Sequence, residues 1–209
     1  MLDFISNINI QFYLLSYLAG AIPFGLILTK IFTGQDIRQS GSGNIGATNV
    51  LRVLKETNPS LAKKLALATI LLDGLKGVVV LLIAKHLGLG IQTQWAIVVF
   101  AVLGHCFSPF LNFEGGKGVA TSAGLLAIML PIPTLIAFGV WLVVAKGLKI
   151  SSLASLLALV ALLICAYLFD ANMGGINSFL PLWLVAFIIV YKHVPNIMRL
   201  IQKQESKVI

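Results

Sequence analysis

Charge is what this sequence has least of. Asp, Glu, Lys and Arg make up 11% of its 209 residues and 58% are hydrophobic, whereas an ordinary soluble domain is about 25% charged. So few charges cannot clothe a water-exposed surface, which excludes a soluble globule. Strand-like alternation of polar and apolar residues is also missing, which excludes a membrane barrel. Cysteine is reduced to Cys106 and Cys165, both in or beside apolar runs. They read as small buried hydrophobes and offer no disulfide framework. His, Cys and carboxylates form no cluster, so no metal and no cofactor is expected. The opening "MLDFISNINIQ" lacks a basic region and a small-residue cleavage site, so no signal peptide is read there. Repeats, low-complexity tracts and linkers are absent. Residues 1–209 are therefore expected to form one integral membrane domain with a short basic tail from about 196 to 209.

What is present is a series of long apolar runs, several near the ~20 residues a helix needs to cross a bilayer. The fold class expected is an all-α membrane protein, a bundle of seven transmembrane helices. The spans run roughly 11–32, 63–86, 95–111, 118–130, 132–147, 151–169 and 178–194. Residues 118–147 could be one long helix, but Pro131 and Pro133 fall in its middle, and an interior proline costs about 3 kcal/mol. Charge argues independently for the split. With two short spans there, all Lys and Arg residues except Lys76 and Lys85 fall on one side, while Lys85, Asp3 and Asp170 do not. By the positive-inside rule the N-terminus is then outside and the C-terminus cytoplasmic. The same rule explains the net charge of +8 better than nucleic acid does, and no nucleic-acid partner is expected.

This topology gathers three polar stretches at the cytoplasmic face. The first, "SGSGNIGATNVLR" (40–52), contains a literal G-x-G-x-x-G. A dinucleotide site would need a preceding strand and a βαβ unit, and neither is available after a membrane helix. What survives is the chemistry. Gly41, Ser42, Gly43 and Gly46 let backbone N–H groups approach a phosphate. Asn44, Thr48 and Asn49 add neutral hydrogen-bonding groups, and Arg52 can fork onto a dianion. The second stretch, "GHCFSPFLNFEGGKGVAT" (104–121), sets Lys117 among Gly115, Gly116 and Gly118 and ends at Thr121, with His105, Ser108, Asn112 and Glu114 nearby. It is not a Walker A loop, which needs glycine where Leu111 stands and Ser or Thr where Gly118 stands. The third, "YKHVPNIMRL" (191–200), carries Lys192, His193, Asn196 and Arg199. Residues 192, 196 and 199 would share a face on a continuing helix, though Pro195 interrupts the pattern.

Structural explanations compete with each of these. Glycines in membrane helices often serve close packing, which suits Gly20, Gly25, Gly124 and Gly139 but not the polar Gly-Ser-Gly-Asn beside Arg52. Lys192 and Arg199 suit helix-end anchoring. Ser151, Ser152 and Ser155 suit helix capping. Asp73 and Lys76, three apart inside the second span, read as an ion pair facing the bundle interior. His86 reads as a solvated loop residue.

Taken together, "SGSGNIGATNVLR", "GGKGVAT", "SSLAS" and "HVPNIMRL" resemble, in that order, the bacterial acyl-phosphate:glycerol-3-phosphate acyltransferase family. The resemblance implies a seven-span inner-membrane enzyme of phospholipid synthesis. It would move an acyl chain from acyl phosphate to the 1-hydroxyl of glycerol 3-phosphate, giving lysophosphatidic acid and inorganic phosphate without acyl-CoA or acyl-carrier protein. Its partners would be acyl phosphate, glycerol 3-phosphate and membrane lipid. Two phosphate-bearing substrates agree with two anion-binding loops. On this reading Lys117, Arg52, His193 and Asn196 are catalytic candidates. Ser42, Gly43, Asn44, Gly46, Thr48, Asn49, Gly115, Gly116, Gly118, Thr121 and Ser152 are substrate-binding candidates. The proton acceptor is either His193 or the substrate's own phosphate. Other acyltransferase chemistry is excluded: five residues after His86, His105 and His193 stand Ile91, Phe110 and Met198, so no H-x-x-x-x-D exists, and no G-x-S-x-G elbow exists either. An organophosphate transporter and a lipid-binding scaffold are the competing expectations. A transporter would place its site at the midplane between repeated halves.

Overall fold

The computed structural model describes residues 6–207, so Asp3 lies outside the described residues. Among these the regular structure is entirely helical. Six segments are long and apolar enough to cross a membrane, and a seventh, Val119–Met129, is apolar but shorter. Their outer faces carry large exposed hydrophobics such as Leu135, Val143 and Phe187, a surface suited to lipid and not to water. The expected bundle of seven apolar spans is thus present.

The first span is not one helix. It consists of α1 (Ile8–Ala21) and α2 (Phe24–Thr33). Sequence reading missed this break, and its cause is Pro23. The residue before a proline is pushed to extended backbone, and Ile22 sits at φ −62°, ψ 119°. The break frees two carbonyls inside the bundle. Ser108 Oγ donates to Ala21 O at 2.7 Å, and Lys76 Nζ donates to Ile22 O at 2.9 Å.

After α2 the chain turns through a short 3₁₀ segment, Ile37–Gln39, into the amphipathic α3 (Ala47–Leu54). Val50 and Leu54 of α3 pack with Ile37, Ile45, Ala62 and Leu65 in a small core of their own. Next come α4 (Pro59–His86) and α5 (Ile91–Cys106). Trp95, Ile97, Leu81, Leu125, Leu126 and Leu182 belong to the larger core between the long helices. Backbones touch where α5 crosses α1: a Cβ on Gly20 would collide with Ala101 O, and one on Gly104 with Tyr17 O. Packing also accounts for Gly25 and Gly124, but a Cβ on Gly139 would meet nothing within 4 Å, so that residue's packing explanation fails. Cys106 and Cys165 are free and buried.

The prolines act as expected in the hairpin of α6 (Val119–Met129) and α7 (Pro131–Leu148). Leu130 alone connects them, and Pro131 takes the first helical position, where its missing N–H costs nothing. At 1.5 Å per residue α6 is about 16 Å long and α7 about 27 Å. Both start from the same turn, so the loop entering α6 lies about 10 Å short of the level reached by α7. Lys117 is therefore recessed within the bundle.

The last helices are α8 (Ser151–Phe169) and α9 (Leu180–Ile201). The seventh span, read as 178–194, remains helical past Pro195 to Ile201. His193, Asn196 and Arg199 therefore sit on one helix. Hydrogen bonds tie the chain's separate polar segments together at one end of the molecule: Thr48 to Ser151 at 3.1 Å, Arg52 to Ser206 at 2.9 Å and Ser152 to Glu205 at 2.7 Å. That meeting requires an even number of crossings between α3 and the tail, and with the hairpin split α4 to α9 supply six.

Candidate active site

Residues 40–46 form a turn built by glycine and braced by one amide. Gly41 and Gly43 take φ of +64° and +69°, conformations that side chains with a Cβ rarely adopt. Asn49, almost wholly buried, donates its Nδ2 to Ile37 O at 2.8 Å and to Ser40 O at 3.2 Å. Its Oδ1 accepts from Ser42 N at 2.8 Å and Ser42 Oγ at 3.2 Å. The Asn49 amide is therefore committed to the loop, a bracing role that sequence reading had not separated from substrate contact. Asn44 Oδ1 accepts from Gly46 N at 2.9 Å, and Gly46 caps α3. One turn later α3 presents Thr48 and Arg52 on the face opposite its buried Val50. Burial pushes the Arg52 guanidinium pKa down, and nearby Glu205 opposes that shift.

The second segment is folded onto the end of α5. Cys106 O accepts from Gly115 N at 3.1 Å and His105 O accepts from Gly116 N at 2.9 Å. Gly118, at φ +83°, turns the chain into α6. Lys117 between them projects into a recess. Burial lowers its pKa from 10.5 to about 8, with Glu205 pulling it up and Arg199 and Arg52 pushing it down. Among the described residues no carboxylate pairs with it, so its charge awaits a counterion.

On α9, His193 is almost wholly buried, and its Nδ1 lies 2.8 Å from Ile189 O. A carbonyl only accepts, so Nδ1 carries the proton and Nε2 is left with a lone pair. Asn196 Nδ2 donates to Glu205 Oε1 at 2.6 Å and Arg199 Nε donates to Glu205 Oε2 at 2.6 Å. Ser152 Oγ is a third donor to this carboxylate. Burial raises the Glu205 pKa, but the bonds from Arg199, Ser152 and Asn196 outweigh it and the net shift is downward. Lys192 departs from the face it was expected to share: it lies over the Phe107 ring, 5.1 Å from the centroid.

These groups enclose one cavity of about 440 Å³. Its polar end is formed by Ser42, Asn44, Gly46, Thr48, Asn49, Arg52, Lys117, Gly118, Ser152, His193 and Asn196. Deeper, Ile70, Ala123, Ala137 and Phe138 make an apolar wall, and Trp141 Nε1 donates to Ser155 Oγ at 3.2 Å. Four anticipated residues stand outside the lining. Gly43 serves the turn, Gly115 and Gly116 press on the end of α5, and Thr121 is buried with its hydroxyl unpartnered. Asp73 and His105 do reach the wall. Ser108 is spent on Ala21 O, and Asn112 and Glu114 are exposed away from the cavity. Ser151 and Ser152 do not cap α8, whose N-cap is Ile150; they face Thr48 and Glu205 instead. His86 is exposed at the end of α4.

Sequence reading missed Glu205 altogether. Its one signal was being the only carboxylate after Asp170 in an otherwise basic tail. Ser151, read from sequence as a helix cap, and Ser206 and Trp141, not singled out at all, reach the cavity only in the folded chain.

Residues 10–203 match the family model described as glycerol-3-phosphate acyltransferase. The chain is 61% identical over 208 residues to a protein of that name from Aliarcobacter butzleri, covering all of both chains. It is 58% identical to another from Nitratiruptor sp., covering 99% of each. It is also similar to the crystal structure of PlsY (YgiH), an integral membrane glycerol 3-phosphate acyltransferase. The glycerol 3-phosphate form superposes with a TM-score of 0.83 at 35% identity, covering 95% of this chain and 94% of that one. The lysophosphatidic acid form gives 0.82 at 33% over the same shares. Relatives with this activity, together with a cavity at one end of the bundle, overturn the transporter expectation. The chain belongs to the glycerol-3-phosphate acyltransferase family.

Proposed function

We propose that the cavity binds acyl phosphate and glycerol 3-phosphate together and transfers the acyl group between them. The reaction class is that of the family: acyl transfer to glycerol 3-phosphate, with lysophosphatidic acid as product. The observation that supports the fuller reading is the cavity's polarity. Arg52, Lys117, His193 and Asn196 stand at one end and an apolar wall at the other, which suits an acyl chain activated by phosphate. The polar end faces the cytoplasm of a bacterial inner membrane, as the distribution of Lys and Arg requires, and the chain acts as a single domain.

The chemistry is positioning and charge stabilisation. The hydroxyl oxygen of glycerol 3-phosphate attacks the acyl carbonyl, the carbon–oxygen bond to phosphate breaks, and the hydroxyl proton ends on the inorganic phosphate released. Lys117 and Arg52 neutralise phosphate charge as it shifts. Thr48 donates to a phosphate oxygen, and Ser152, whose one proton is held by Glu205, joins it when the substrate displaces that carboxylate. His193 accepts the hydroxyl proton's hydrogen bond at Nε2, and Asn196 orients the glycerol. The proton passes either to His193 or to the substrate's phosphate, and His193→Asn separates the two. It retains turnover if the phosphate is the base and abolishes it if the imidazole is.

The decisive experiment mixes purified protein, acyl phosphate and glycerol 3-phosphate in lipid. Lysophosphatidic acid and inorganic phosphate should appear in equal amounts. Product from acyl-CoA at the same rate would refute the donor.

A further inference from the structure

We infer that His105 is a positioning residue for Lys117: the intramembrane Asp73–Lys76 pair locks its imidazole, and the imidazole sets the loop that carries the cation. The inference rests on reading Lys117 as a phosphate-binding group.

Asp73, Lys76 and His105 are buried inside the bundle, where charge is costly. Lys76 Nζ lies 2.8 Å from Asp73 Oδ1, 2.9 Å from Ile22 O and 2.8 Å from His105 Nδ1. An ammonium has three protons, and these three partners use them all. Lys76 therefore has nothing left to offer a substrate, although the wall of the cavity is close. Because Lys76 donates, Nδ1 is the unprotonated ring nitrogen and the proton is on Nε2. Tautomer and ring plane are both fixed from one side.

The other side of the ring meets the glycine loop. A Cβ on Gly116 would collide with His105 Nε2, with Cε1 and Cδ2 within 2.9 Å of it. A Cβ on Gly115 would collide with the His105 carbonyl oxygen. That same carbonyl accepts from Gly116 N at 2.9 Å. His105 thus grips the loop through its ring and its main chain, and Lys117 is the next residue. Two apolar residues could fill the space of a buried ion pair without loss of stability, so bundle packing alone gives no reason for charge here. Holding a neutral imidazole in one tautomer against a backbone does. The requirement is strict, since a displacement of about 1 Å at a catalytic group can cost about 100-fold in rate.

A cycle of purified variants tests this, with kcat and KM measured for both substrates and folding checked by heat unfolding in detergent. His105→Ala should lower kcat/KM by about 10- to 100-fold in the wild-type background. On Lys117→Ala the same change should cost less than about twofold, since groups acting as a unit do not add. Gly116→Ala should be similarly impaired, and Gly116→Ala/His105→Ala should be more active than Gly116→Ala alone, because the collision is gone. Full additivity of His105→Ala with Lys117→Ala would overturn the inference, leaving His105 a packing residue. Should His105→Ala not fold, the same cycle is run with Gly116→Ala: its loss vanishes on Lys117→Ala if the contact acts through that lysine, and its persistence overturns the inference. Failure of the underlying reading is separately visible, because Lys117→Ala alone would then leave kcat/KM within about twofold of wild type.

Discussion

Truncating Lys117 to Ala removes the cation that the structure has already stripped of water. Its pKa falls from 10.5 to about 8 because of burial, and at 1.36 kcal/mol per pH unit that drop corresponds to roughly 3 kcal/mol. A phosphate dianion placed against the ammonium recovers that cost and adds its own attraction. Losing one partner of such a desolvated pair costs about 2–5 kcal/mol, or roughly 30-fold to several-thousand-fold in kcat/KM at tenfold per 1.36 kcal/mol. The assay is lysophosphatidic acid formation by purified protein in lipid. Lys203→Ala, on the exposed tail, is the matched control and should change little. A pH series adds a second readout. Below about 8 the free enzyme's Lys117 is charged; as pH rises through that value the charge is lost and KM for glycerol 3-phosphate should climb. Bound phosphate favours the ammonium, so kcat should hold to higher pH than kcat/KM. Lys117→Ala should lack this alkaline limb. If folded Lys117→Ala kept kcat/KM within about twofold of wild type, or kept the limb unchanged, the site would be misplaced.

Arg52→Lys should be nearly as poor as Arg52→Ala, since a point charge cannot reproduce the planar fork; wild-type rates for the lysine variant would show that the fork is not used. Glu205 is ionised through its bonds to Arg199, Ser152 and Asn196, so its hold of the tail on α8 and α9 is present above pH 4.5 and is lost as pH falls through its lower folded pKa. A cysteine at Ser206 should then become faster to alkylate, once corrected for thiolate content, on acidification or in Glu205→Gln, and equal rates would refute that role for Glu205. Breaking the intramembrane pair with Lys76→Met leaves Asp73 buried and unpaired, and should destabilise the fold by about 3–5 kcal/mol; Asp73→Leu/Lys76→Met should regain most of that in heat unfolding. For orientation, a cysteine at Lys207 should label only from the cytoplasm and one in the 87–94 loop only from outside. Labelling of both from one side would contradict the seven-span count.

Much of the candidate site was legible because its residues stand in short local stretches. Arg52, Lys117, His193 and Asn196 stand in polar runs that a bilayer-spanning chain has no other reason to carry, and charge bias alone forced those runs to one end. The Pro131–Pro133 turn was legible for the same local reason: proline removes an N–H wherever it stands. Four things were decided only by the folded chain. Asn49 looked like a ligand group until its amide was seen bracing Ile37 and Ser40. The break at Pro23 mattered because it opened carbonyls toward Lys76 and Ser108, residues far along the chain. Glu205 became part of the site only when the tail folded back onto α8 and α9. His105 acquired its place from two neighbours no spacing predicts, an ammonium from α4 and a glycine of the loop before α6. Composition and periodicity report a residue's own preference for lipid, water or backbone geometry. Which donors and acceptors remain unspent is set by partners distant in sequence, and those preferences carry no record of them.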